Sequence, residues 1–309
     1  MGSSEPPGAD VYESTRPLLF GIAYRMLGSV SEAEDIVQEA FVRYHRAASG
    51  ADPIGSPRAY LSTVTMRLAI DHLRSARVRR ERYVGQWLPE PILTGDDGVE
   101  ALVERRESLS LALLALLERL SPLERAVFVL REVLDIDHRE IARMVGRTEA
   151  HVRQMAVRAR RHVQEGRPRF TTDRAARDQL ARRFFAALEG GDMAALISLL
   201  AADVTMSGDG GGRAPALAEP ARGRERVARF LLGLARLGLR RGLRFRLTEV
   251  NTEPGALVMD PEGRVVAVMA VAVEGGSVHA IHSVVNPDKL RHLGPAVGLG
   301  ELMRAGAER

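Results

Sequence analysis

The character of this chain changes after Gly166-Arg-Pro168. Upstream, apolar residues recur every three or four positions. Downstream, after two more helical stretches, they alternate or run together in β-branched blocks. Periods of 3.6 and of 2 need different backbones. The chain must therefore be multidomain, with all-α units first and an α+β unit last.

In the first part, 11–82 reads as helix interrupted at Gly50–Pro57, where glycines and prolines stop both neighbours. Ser31 and Glu34 have the spacing of a capping box, with Ile36, Val37, Ala40, Phe41 and Tyr44 as an apolar stripe behind it. Tyr83–Pro91 (YVGQWLPEP) reads as extended and holds the only tryptophan, Trp87. A large ring in an extended segment should bury against a domain face. A second helical unit runs over 109–164. Ser121, Pro122 and Glu124 start one helix as cap, first-turn proline and box glutamate. Gly146 ends a short helix, and Thr148 caps the next, whose inner stripe is Val152, Met155, Ala156, Ala159 and Val163. The last part predicts helices over 173–188 and 193–200, a helical insertion over 222–239, and strands at 204–207, 243–250, 257–259, 265–273 and 278–285, mostly antiparallel. The expected boundaries are 1–91, a linker over 92–107, 108–166, 170–295, and a tail over 296–309.

Charge narrows the partners. The net charge is +4, and Lys289 is the only lysine. Arginine usage alone carries little, but the arginines cluster: Arg74, Arg77, Arg79, Arg80, Arg82; then Arg147, Arg153, Arg158, Arg160, Arg161; then Arg222, Arg224, Arg226, Arg229, with Arg236, Arg240, Arg241 following. The absence of cysteine excludes disulfides, thiolate metal sites and a thiol nucleophile. No metal or cofactor is expected. No apolar run approaches the ~18 residues of a membrane span, and the N-terminus lacks signal-peptide character. The default compartment is the cytoplasm.

Residues 138–163 have the spacing of a helix-turn-helix. The second helix presents Glu149, Ala150, His151, Arg153, Gln154, Arg158 and Arg161 away from its apolar stripe, Thr148 preceding them. Its first turn would meet base edges and its later arginines phosphates. An ordinary helix pair with a solvated basic face fits the pattern equally. Ser31–Arg46 (SEAEDIVQEAFVRYHR) resembles the second conserved region of sigma factors, and Ser56–Arg80 (SPRAYLSTVTMRLAIDHLRSARVRR) the segments that melt DNA and read the minus-ten element. Leu120–Val163 resembles the fourth region, which reads minus-thirty-five. Two such regions without a middle domain resemble the extracytoplasmic-function (group IV) sigma-70 family. The resemblance implies core RNA polymerase and promoter DNA as partners. It implies polymerase binding by Asp35, Gln38 and Glu39, which otherwise read as a solvated face. It implies minus-ten contacts by Arg58, Arg67, Asp71, His72, Arg74 and Arg77, and minus-thirty-five contacts by the residues from Thr148 to Arg161 named above.

The last part resembles SnoaL-like domains, in which a sheet wraps helices into a cone with a pocket. Tyr83–Pro91, Asp209–Arg213 (DGGGR) and Asn286–Leu290 (NPDKL) resemble signature strings of the sigma-J-like subgroup, whose extension stands in for a separate anti-sigma protein. The resemblance implies an interdomain regulatory role for Trp87, Asp209, Gly210, Gly211, Gly212, Arg213, Asn286, Pro287, Asp288, Lys289 and Leu290. Residue by residue, the glycines permit close backbone approach. Asp209 and Arg213 either pair across the loop or Arg213 reaches the acidic linker; a plain glycine turn is the alternative. The pocket is a candidate site for a small-molecule ligand. No catalytic residue is assigned: His279 and His282 share a strand and face opposite sides, so at most one points inward. A SnoaL-like enzyme fused to a DNA-binding module, and a one-component operator-binding regulator, are the competing readings. The first needs converging titratable groups in the cone; the second has no need of Ser31–Arg80.

Overall fold

The computed structural model describes residues 9–50, 54–80, 83–94, 109–166 and 173–305. They separate into two compact units. One holds 9–50, 54–80 and 116–166; the other holds 83–94, 109–115 and 173–305. The division differs from the boundaries expected from sequence. The YVGQWLPEP segment falls with the C-terminal unit, and so does the first turn of the second helical stretch.

In the first unit, α1 (Ala9–Leu27), α2 (Val30–Ala48) and α3 (Pro57–Arg80) pack on one another. The N-cap of α2 is Ser29, whose side chain accepts from Glu32 N, not Ser31 as the sequence suggested. The shift follows from geometry: only a residue with extended φ/ψ can cap, and Ser29 has φ −128°, ψ 131°. Of the expected stripe, Ile36, Val37, Ala40 and Phe41 are buried and Tyr44 is partly exposed. α4 (Leu111–Leu117) belongs mostly to the second unit; in the first, α5 (Pro122–Phe128) opens with the complete Ser121–Glu124 capping box and continues through one π turn, Val129–Val133. α6 (His138–Val145) is capped by Asp137 and ends at Gly146 with φ 64°. α7 (Glu149–Gly166) follows, with Thr148 Oγ1 accepting from His151 N at 3.3 Å and the whole predicted inner stripe buried.

Two arginines tie these helices together. Arg125 of α5 is 2% exposed; its Nε donates to Arg25 O at 2.9 Å and its guanidinium pairs with Glu118. Arg67 of α3 donates from Nε to Met144 O at 2.9 Å and from Nη2 to Arg143 O at 3.3 Å. Those carbonyls end α6, where no intrahelical donor remains and the helix dipole is negative.

The second unit contains α8 (Arg174–Gly190), α9 (Met193–Leu199), α10 (Arg224–Leu239), α11 (Leu299–Ala305) and one sheet. Its strands are β1 (Leu200–Asp209), β2 (Ala221–Arg222), β3 (Arg244–Val250), β4 (Glu253–Met259), β5 (Val265–Glu274) and β6 (Ser277–Val284), in spatial order β2-β1-β6-β5-β4-β3. Only the β1–β6 pair is parallel. One apolar face carries Val258, Met269, Val271 and Ile281 under Phe184, Phe185 and Leu231 of the helices. The other carries Leu257, Val268, Ala270 and Val284, and it is covered by Leu88, Leu93 and Leu111. Burial on both sides explains why β5 reads VVAVMAVAV rather than alternating. Arg125→Met should lower the unfolding free energy of the first unit by roughly 2–4 kcal/mol, because Glu118 and Arg25 O lose a buried partner. Urea unfolding followed by helical CD would measure it.

Candidate functional site

The functional geometry of the second unit begins at Asp209, the last residue of β1, with 0% exposure. Its Oδ1 accepts from Tyr83 Oη at 2.5 Å. Its Oδ2 accepts from Leu88 N at 2.8 Å and from Lys289 Nζ at 2.7 Å. Lys289 also donates to Leu88 O, and its ammonium lies 4.1 Å from the centroid of Trp87. The only lysine and the only tryptophan of the chain therefore meet, joined through the strand end that carries Asp209. Three N–H donors of a buried ammonium must all find partners, and a carbonyl, a carboxylate and a π face supply them. Burial, with the Asp209 carboxylate beside it, pushes the Tyr83 phenol upward.

The glycine loop makes this approach possible. Gly211 has φ 56°, and a Cβ there would lie 2.2 Å from Asn286 Nδ2 and 2.7 Å from Tyr83 Oη. A Cβ on Gly210 would lie 2.0 Å from Ala214 O, and Gly212, at φ 71°, faces Val84 at 3.3 Å. Asn286 Nδ2 donates to Tyr83 Oη at 2.9 Å, and Asn286 Oδ1 caps the turn of Pro287 and Asp288 by accepting from Asp288 N. Leu290 is fully buried in the apolar layer with Leu88. Arg213 does not pair with Asp209: its Nε lies 3.3 Å from Asp288 Oδ2, while Asp209 pairs with Lys289, and residues 95–107 of the acidic stretch, the other course, lie outside the described residues. An aspartate at the sheet end with no exposure needs a buried cation, and exposed Arg213 cannot serve.

A second grip lies at the β3–β4 turn, which the sequence pattern did not single out. Val250 pairs with Glu253, leaving a two-residue turn of Asn251 and Thr252 at φ 51° and 64°. That is the type I′ arrangement, and a β-branched residue there is strained. Asn251 Oδ1 accepts from Ile92 N at 2.8 Å while its Nδ2 donates to Leu109 O at 2.9 Å. Thr252 N donates to Thr94 Oγ1 and Thr94 N to Glu249 O. Leu111 N donates to Glu253 Oε2 at 3.0 Å. One side chain thus holds both Ile92 and Leu109, the flanks of the stretch between the two helical regions. The available signals were the unbroken apolar run of β5, which implies a second covered face, and an Asn-Thr pair between two strand patterns.

The helical residues singled out from sequence lie in the first unit. Asp35 and Gln38 are exposed on α2; Glu39 is half-buried and pairs with Arg43 at 2.8 Å. On α3, Asp71 pairs with Arg74 at 3.0 Å and His72 lies 3.0 Å from Glu32. Arg58 borders a cavity of about 260 Å³ that Ser56, Ser62, Glu140 and Met144 also line, and Arg67 is engaged at the end of α6. The side chain of Arg77 lies outside the described residues, as do those of Arg79, Arg80 and Arg82. On α7, Ala150, His151, Gln154 and Arg161 are exposed, Glu149 and Arg153 pair at 2.5 Å, and Arg158 lies 3.5 Å from Glu124.

A cavity of about 90 Å³ lies on the helix side of the sheet, with Leu231, Phe245, Val258 and Met269 among its walls and Arg241 and Ser283 as polar members. Arg241 Nε is buried without a partner. Neither His279 nor His282 lines it. His282 is buried, both ring nitrogens are without partners, and burial pushes its pKa down to about 4; His279 is partly exposed near Asp203. Among the described residues no group of three or more His, Asp or Glu side chains could hold a metal ion. No described helix is long and apolar enough to cross a membrane.

Known proteins match this organisation part by part. Sigma-70 region 2 matches residues 11–79, Sigma-70 region 4 matches 110–163, and the SnoaL-like domain matches 181–288. The ECF RNA polymerase sigma factor SigJ of Mycobacterium tuberculosis is 40% identical over 288 residues, 90% of this chain and 91% of SigJ. The probable ECF RNA polymerase sigma factor SigI of the same species is 32% identical over 310 residues, 96% of this chain and 100% of SigI. The crystal structure of SigJ superposes with a TM-score of 0.75 at 38% identity, covering 91% of this chain and 97% of that one.

Two outcomes test the grip. Gly211→Ala must displace Asn286 or Tyr83, so the emission of Trp87 should shift to the red while helical CD stays unchanged. Glu253 supplies a pH dependence: burial raises its carboxyl from 4.5 to about 7, against the bonds from Leu111 and Ala112 and the charge of Arg177. A raised folded pKa favours the docked state below pH 4.5, and that advantage is lost as pH rises through 7. His282 acts in the opposite sense, losing stability as pH falls from 6.5 towards 4. Amide exchange at Leu111, corrected for its intrinsic rate and compared at each pH with Glu253→Gln, should therefore show protection falling between pH 5 and 8 only when Glu253 is present.

Proposed function

The chain belongs to the extracytoplasmic-function RNA polymerase sigma factors, and from that premise we propose that its C-terminal unit controls transcription initiation by clasping the segment between the two promoter-reading regions. Sigma factors of this family direct core RNA polymerase to promoter DNA. The observation that carries the proposal is the Asn251 side chain, bonded to Ile92 and to Leu109 at once. From Ile92 to Leu109 the chain runs 17 residue steps (109 − 92) and can extend to about 60 Å. Minus-ten and minus-thirty-five elements, about 25 base pairs apart by name, are separated by roughly 85 Å of duplex at 3.4 Å per base pair. A closed clasp removes that reach. The arrangement of the first unit points the same way, because Arg67 is spent on the end of α6 and Met144 of α6 walls the cavity beside Arg58. Minus-ten reading by Arg58, Arg67, Asp71, His72, Arg74 and Arg77 then needs α3 freed from α6, and Thr148, Glu149, Ala150, His151, Arg153, Gln154, Arg158 and Arg161 read minus-thirty-five from α7. Asp35, Gln38 and Glu39 meet the polymerase.

The equilibrium between clasped and open states needs only a few kcal/mol of differential binding to switch. The apolar cavity is the place for a small-molecule ligand to supply it, since β4, β5 and β6 line the cavity on one face and carry the linker on the other. We read this unit as a binding module rather than an enzyme, working in the cytoplasm beside polymerase. Transcription by core polymerase on promoters of graded spacer length tests the clasp. Asn251→Ala and Asp209→Asn should raise output and widen the range of spacers accepted, at unchanged polymerase pull-down. Identical output and spacer preference in both variants would remove the clasp as a control.

A further inference from the structure

Apart from Arg241, which lines the cavity, the third arginine cluster is not used by the site described above, and the fold arranges part of it in a row. On α10, Val227, Ala228, Leu231, Leu232 and Ala235 are buried. Arg226, Arg229 and Arg236, together with Arg240 at the C-cap, are exposed. At 100° per residue these four fall within about 80° of arc, centred opposite the buried stripe, with Gly233 filling the remaining place. Fourteen residues separate the first from the last (240 − 226), about 21 Å of helix. None of the four has an acidic partner among the described residues. The only acid on the helix is Glu225.

This row is costly to the helix that bears it. Arg226 with Arg229 and Arg236 with Arg240 are like charges at i,i+3 and i,i+4 spacing, each destabilising by a few tenths of a kcal/mol. Arg224 and Arg226 stand at the positive end of the helix dipole. Local rules broken without local compensation mark surfaces that serve an external partner. The partner's chemistry follows from the row: four permanent, evenly directed cations on a rigid rod fit a linear polyanion. We propose that α10 binds the phosphate backbone of duplex DNA, giving the C-terminal unit a sequence-independent hold on DNA in addition to the two promoter-reading regions. Guanidinium groups engage phosphate in bidentate fashion and remain charged at all working pH.

Counterion release makes this measurable. The full chain is titrated onto a duplex without promoter elements over a range of salt concentrations, wild type against a variant with Arg226, Arg229, Arg236 and Arg240 changed to Gln. The slope of log affinity against log salt should become shallower by up to ~3.6, at about 0.9 for each phosphate no longer neutralised. An equal-charge control changes Arg182 and Arg183 of α8 with Arg244 and Arg246 of β3, all exposed. Arg244 and Arg246 alternate with Phe245, which packs under the helices, and so stand on the other side of their strand. The control should keep the wild-type slope. A third variant with the four α10 positions changed to Lys should also keep it, which separates the effect of charge from that of structure. An unchanged slope in the Gln variant, or an equal loss in the control, overturns the proposal. So does an unchanged slope joined to weakened binding of core polymerase, which would assign the row to an acidic protein face.

Discussion

The buried pair of Asp209 and Lys289 is the constraint on which the second unit depends. Taking two charges out of water costs several kcal/mol each, and attraction alone seldom repays it. Here the remaining hydrogen-bonding capacity is met almost entirely by the linker: Tyr83 Oη and Leu88 N on the carboxylate, Leu88 O and the Trp87 ring on the ammonium. Removing the linker would leave an ion pair half satisfied in an apolar layer. The pair is thus less a source of stability than a demand for one specific occupant, which is how a buried polar group confers specificity.

The two grips divide the work. At Asp209 the interaction is ionic and fully buried, reached through glycines that let backbone and side chains approach closely. At the β3–β4 turn it is made by Asn251, Thr252 and Glu253, neutral bonds on a strained two-residue turn, with one carboxyl that burial keeps near its titration point. The two contacts therefore respond to different conditions, the second to pH through Glu253.

Much of this was legible in the sequence, and the misses are instructive. The caps at Ser121 and Thr148, the αL stop at Gly146 and the stripe of α7 follow from local rules and stand as read. The strands were placed to within a few residues because β-branched runs and glycine turns are local signals too. What the residues alone left open was pairing. Asp209 with Arg213 was one open reading because they are neighbours; Lys289, 80 residues on, could be chosen only by knowing which strand lies beside β1. Arg67 looked free for the same reason, since its acceptors are 76 and 77 residues away. The compact units divide the chain differently for a similar reason: an extended segment has no core of its own, so it groups with the face it covers.

The scarcity of lysine has a chemical consequence. With a single lysine in the chain, enclosed by Asp209, Leu88 and Trp87, the clasped protein offers acylating reagents no accessible side-chain amine. Leu88 and Trp87 must move aside before a reagent can reach its ε-nitrogen. Acylation of that nitrogen would remove the cation that Asp209, Leu88 O and the Trp87 ring all meet, so the reactivity of this one amine reports whether residues 87 and 88 are in place.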